Sequence, residues 1–96
     1  MLIKAGVDIS RLKPEIRKKL TVIERTVDAI TEEELIITST YEGTHSAGSL
    51  HYANLAVDIR RANNPDAVRQ EIKRGLGADY DVILENDHIH IEYDPK

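Results

Sequence analysis

Apolar side chains at Ile16, Leu20, Ile23, Val27 and Ile30 recur at steps of four, three, four and three residues. On a helix of 3.6 residues per turn that spacing makes a single stripe. It predicts a helix over 14–30, PEIRKKLTVIERTVDAI, which must bury one side against a partner surface. Pro14 suits the first helical turn, and Glu15 suits the positive end of the helix dipole. The stretch 35–41, LIITSTY, is a β-branched run and reads as a strand. The Gly- and Ser-rich stretch 42–50 reads as a loop. Residues 55–60, LAVDIR, alternate as a second strand, with Ala56, Asp58 and Arg60 on one face and Leu55, Val57 and Ile59 on the other. Asn64 is placed as an N-cap before Pro65, opening a short helix whose inner face is Val68 and Ile72 and which ends at Gly75 or Gly77. Residues 80–84 and 88–93 read as two further strands joined through Glu85-Asn86-Asp87, a hairpin. The order α-β-β-α-β-β predicts an α+β fold, a small, mainly antiparallel sheet with two helices.

No repeat or Gly/Ser linker divides the 96 residues, which are too few for two cores, so residues 1–96 read as one domain. Four tyrosines are the only aromatic residues, so the core must be aliphatic. The same scarcity disfavours single-stranded nucleic acid, which is bound by stacking bases on rings. A net charge of −4 provides no basic field for nucleic acid or anionic lipid. With no cysteine, disulfides, thiol catalysis and thiolate zinc sites are excluded. No run of 18 apolar residues is present for membrane insertion. MLIKAGVD has no long apolar stretch or cleavage site, so it is not expected to be a signal peptide. A protein cytoplasmic at synthesis is expected: one released by lysis, a virion part, or an intracellular recycling enzyme.

Any metal must therefore be held by His, Asp or Glu. The four histidines are His45, His51, His88 and His90. His88 and His90 are two apart on a strand and share a face. If the second and fourth of these strands lie near each other, His51, Asp58 and one or both final histidines converge. Two imidazoles and a carboxylate make a three-ligand zinc set with a fourth position open to water, as catalytic zinc sites have. A carboxylate such as Asp58 inside an apolar strand needs compensation, and Arg60 on its own face is the competing partner. His45 reads as a solvated loop histidine.

The run Ser49-Leu50-His51-Tyr52-Ala53-Asn54-Leu55-Ala56-Val57-Asp58 resembles the Ser-x-His-x-x-Gly-x-Ala-x-Asp signature of the M15 zinc peptidases, with Asn54 in place of the glycine. Asp87-His88-Ile89-His90 is similar to the second signature of that family, an acidic residue followed by His-x-His. The family includes D-Ala-D-Ala carboxypeptidases and dipeptidases and the L-alanyl-D-glutamate endopeptidases of phage endolysins. The resemblance spans about residues 35–93 and implies a Hedgehog/DD-peptidase-like fold in a short, phage-related member. It implies that Zn²⁺ is held by His51, Asp58 and His90. It implies Asp87 as catalytic acid/base and His88 as an auxiliary that stabilises the oxyanion. The implied substrate is a peptidoglycan stem peptide or muropeptide, cleaved by a metal-activated water. Glu85-x-x-His88 repeats the spacing of Asp87-x-x-His90; in that register Glu85 is the base and His88 the ligand.

Ser49, Tyr41 and Arg60 are candidates for substrate contact, with Tyr52 and Arg61 behind them. Many relatives carry an arginine for the substrate carboxylate where this chain has Glu42. That difference favours a second hypothesis, a zinc-binding module of the same fold without hydrolysis. A third is a metal-free interaction domain. An acidic protein gains no long-range attraction to an anionic wall, so soluble muropeptides compete with intact wall as substrate.

Overall fold

The apolar stripe predicted as one helix runs along two helical pieces, α1 (Pro14–Arg17) and α2 (Leu20–Ile30), in the computed structural model, which describes residues 1–41, 49 and 53–95. The break at Lys18 and Lys19 is slight. Both keep right-handed backbone angles, but Lys19 N–H bonds to the Ile16 carbonyl, three residues back, at 2.9 Å. This tightening leaves the stripe aligned, and Ile16, Leu20, Ile23 and Val27 are all buried.

Among the described residues five strands form one mixed sheet. They are β1 (Leu2–Ile3), β2 (Ile36–Ser39), β3 (Ala56–Arg60), β4 (Tyr80–Leu84) and β5 (His88–Tyr93), in the order β1-β2-β3-β5-β4. β1 runs parallel to β2, and the other pairings are antiparallel. β1 was not foreseen. Two residues carry no periodicity, and the pairing is visible only in its ladder, where Leu2 N–H bonds to Leu35 O and Lys4 N–H to Ile37 O. β2 is shorter than the run 35–41, because its pairing with β3 shifts register between Ile37 and Ser39. That bulge sets Ser39 opposite Asp58.

Helix α3 (Pro65–Leu76) ends at Gly77, whose φ of 96° suits glycine. At its start Asn64 occupies the cap position with a left-handed backbone (φ 53°, ψ 53°), and its side chain makes no capping bond. The predicted side-chain cap is therefore corrected: asparagine is used here for its tolerance of positive φ.

Alternation along the strands sorts the two faces of the sheet. Ile37, Val57, Ile59, Val82, Ile89 and Ile91 join Ile16, Leu20, Ile23, Val27, Val68, Ile72 and Leu76 in one aliphatic core. Each fully buried isoleucine contributes about 1.5–3 kcal/mol relative to an exposed one. The intervening strand positions carry Asp58, His88, His90 and Glu92 on the other face. The N-terminal segment is tied to the rest of the fold by Thr40 Oγ1–H to Asp8 O (2.9 Å) and Lys13 N–H to Asn54 O (2.9 Å). Among the described residues no helix is long and apolar enough to cross a membrane.

Candidate metal centre

The β3–β5 pairing assembles the site. Its register sets Ala56 opposite Glu92, Asp58 opposite His90 and Arg60 opposite His88. A core-facing isoleucine separates each site residue from the next along β5, so aliphatic packing underneath fixes the polar row above. The sheet thus holds Asp58 and His90 side by side, with Asp58 Oδ1 3.1 Å from His90 Nδ1. His88 Nε2 lies 3.7 Å from the same oxygen. The Asp58 and His90 side chains are only 9% and 14% exposed, whereas His88 is 31% exposed.

The arginine alternative fails for Asp58. Among the described residues it forms no ion pair with Arg60, and its contacts include the imidazoles of His90 and His88. Burial resists charging of His90 and is the strongest single influence on it. Hydrogen bonds to Asp58 and Glu92 and the charges of those carboxylates together outweigh it, so the His90 pKa is raised above its ordinary 6.5.

Asp87 stands at the end of the β4–β5 turn, with Oδ1 2.6 Å from His88 Nδ1. That hydrogen bond, then the charge of His88, holds the Asp87 pKa below its ordinary 3.8. His88 therefore joins Asp87, through Nδ1, to Asp58, through Nε2. The turn itself is gripped by Arg61, whose Nη1 donates to Asn86 O at 2.9 Å and to Glu85 O at 3.4 Å. Arg61 is thus engaged with the hairpin rather than held ready for a substrate carboxylate.

The remaining predicted residues divide into three groups. His51, with His45, Glu42 and Tyr52, lies outside the described residues. Tyr41 carries the Arg11 guanidinium 4.7 Å from its ring centroid, and Ser49 is half-buried. Arg60 is exposed at the end of β3 and borders a groove with Arg61, Glu33 and Leu2.

Three acidic residues escaped the sequence reading. Asp81, Glu92 and Asp94 bring carboxylate oxygens within 4.8 Å of one another, a cluster that could hold a cation. Glu92 also reaches His90, with Oε1 2.6 Å from Nε2. The signal for Glu92 was present in the sequence, because it follows His90 by two residues, as His90 follows His88. Asp81 joins it only through the β4–β5 register, which sets Asp81 opposite Glu92.

The Asn54 departure from the M15 glycine pattern has a structural counterpart. Asn54 adopts φ 61°, the left-handed region that glycine occupies freely and asparagine tolerates better than other residues. Comparison of the chain with models of protein families and with curated proteins gives no match.

Proposed function

We propose that the protein is a zinc-dependent peptidase of the M15 type acting on peptidoglycan stem peptides. The observation that carries this reading is the Asp58–His90 pair. Two ligands about 2.0–2.1 Å from a tetrahedral ion sit roughly 3.3 Å apart, and Asp58 Oδ1 and His90 Nδ1 are 3.1 Å apart on a buried floor. One oxygen and one nitrogen donor without thiolate suit zinc. Asp58 and His90 would hold the ion, and the sequence pattern assigns the third ligand to His51.

When bound, zinc acidifies a water and polarises a carbonyl. Every other task belongs to the chain. Asp87 takes up a proton at its carboxylate and returns it to the leaving amine. The hydrogen bond from His88 keeps that carboxylate ionised and tied to the His88 ring. Arg61 holds the turn from which Asp87 projects. As an imidazolium, His88 would donate through Nδ1 to Asp87 and through Nε2, on the Asp58 side, to a developing oxyanion. His90 is nearer Asp58 and less exposed than His88, which supports His90 as ligand and Asp87 as base over the register using Glu85.

Glu42, in place of the arginine of many relatives, favours the second reading, a zinc-binding module without hydrolysis. Elemental analysis of purified protein, combined with digestion of defined stem peptides scored by mass spectrometry, separates the two. One zinc per chain with cleavage, both lost in Asp58→Ala, supports the peptidase. One zinc per chain with intact peptides supports the binding module. Absence of zinc, or full cleavage by metal-free protein, overturns the reading.

A further inference from the structure

His90 lies between two carboxylates: Asp58 Oδ1 3.1 Å from Nδ1 and Glu92 Oε1 2.6 Å from Nε2. A neutral imidazole has one N–H, and so can donate to only one of them. The nitrogen without the proton then points its lone pair at a carboxylate, which is repulsive unless a second proton or a metal cation lies between. We propose that Glu92 is the positioning residue of the metal centre, holding the His90 proton on Nε2 so that the Nδ1 lone pair is turned toward Asp58 to receive the ion. The inference rests on the proposed zinc function for what Nδ1 receives. It stands on geometry for which nitrogen carries the proton.

Three observations support this. The Nε2 contact is the shorter of the two, as expected of a charge-assisted donor to a carboxylate. Glu92 is held in place, opposite Ala56 on β3 and Asp81 on β4, with its side chain 17% exposed. The carboxylates of Asp81 and Asp94, clustered with that of Glu92, add negative potential on the Nε2 side. That potential favours a proton there over a lone pair. Ligating histidines commonly donate their second N–H to a carboxylate, and losing such a partner lowers metal affinity about 10–100-fold.

The test compares wild type, Glu92→Ala and Glu92→Gln. Nitrogen-15 NMR of the metal-free proteins, at alkaline pH where the ring is neutral, reads the His90 tautomer directly. Competition with a chelator reads zinc affinity. Expected are Nε2–H in wild type, a shift toward Nδ1–H in Glu92→Ala, and a zinc affinity lowered about 10–100-fold in that variant. Glu92→Gln keeps an acceptor oxygen, so it should retain Nε2–H and recover most of the affinity. A role in folding alone would not move the tautomer. An unchanged tautomer in Glu92→Ala, or a wild-type ring protonated mainly at Nδ1, overturns the inference even if zinc binds. If wild type binds no zinc, the proposed function fails, and the tautomer comparison still decides the role of Glu92.

Discussion

Asp58 and His90 are direct register partners on neighbouring antiparallel strands, and the same register that pairs them leaves Ile59 and Ile89 paired on the opposite face, in the core. The Asp58–His90 floor is therefore an extension of the sheet. Its two floor donors, Asp58 and His90, are held by strand pairing. Zinc should consequently stabilise the folded chain. At a free concentration 100 times the dissociation constant the gain is about 2.7 kcal/mol. Thermal unfolding with and without zinc checks this. The increment should appear in wild type and vanish in Asp58→Ala while far-UV circular dichroism is retained.

Asp87 and Glu85 flank the same turn and compete for the role of base. Asp87 is tied to His88 by a 2.6 Å hydrogen bond, whereas the Glu85 backbone belongs to the hairpin, its N–H bonding to His88 O at 2.9 Å. Asp87→Asn should therefore reduce kcat by about 10²–10⁴, the usual worth of a positioned general base. Zinc stoichiometry should be unchanged, because the proposed ligand set does not include Asp87. Glu85→Gln should leave kcat within a few-fold. A kinetic result in the reverse order would move the base to Glu85 and the ligand to His88.

Much of this site could be read before any coordinates. Strict alternation places His88 and His90 on one face and Asp58 on the corresponding face of its own strand. The helical stripe says which face of the sheet is covered. What alternation cannot supply is register. Asp58 meets His90, and not a neighbour two residues away, because of where β3 and β5 begin to pair. The bulge in β2 that sets Ser39 opposite Asp58 has no sequence signal of its own, since no glycine or proline marks it. β1 is too short to have a period. Glu92 was legible in the same pattern as the histidines, but an acidic residue near a strand end is so commonly solvated that its position drew no notice.

Asn54 offers a test of the glycine position in the first motif. An ordinary L-residue in the left-handed region is strained by roughly 1–2 kcal/mol, and Asn54 sits there at φ 61° beside the start of β3. Asn54→Gly should be neutral or slightly stabilising in urea unfolding. Asn54→Ala should lose about 1 kcal/mol, with zinc affinity falling further if the strain is relieved by moving the residues before β3. Equal stability of the alanine and glycine variants would mean that the backbone there relaxes without penalty.

Tyr80 ties the stability of the fold to alkaline pH. Its hydroxyl donates to the Glu15 carbonyl at 2.6 Å, joining β4 to α1, and the ring is 4% exposed. Burial, reinforced by nearby Tyr93, Glu15 and Asp79, raises its pKa above the ordinary 10.0. A group with a raised folded pKa binds more protons folded than unfolded. Its contribution is complete below the unfolded value of 10.0 and is lost as pH rises through the higher folded value. Wild type should therefore lose stability steeply above pH 10.0, while Tyr80→Phe, which has no proton to release, should show a flatter limb. At neutral pH the same variant should be about 0.5–1.5 kcal/mol less stable, the net worth of one hydrogen bond. Urea unfolding across a pH series measures both effects. Parallel alkaline limbs for the two proteins would assign the loss of stability to groups other than Tyr80.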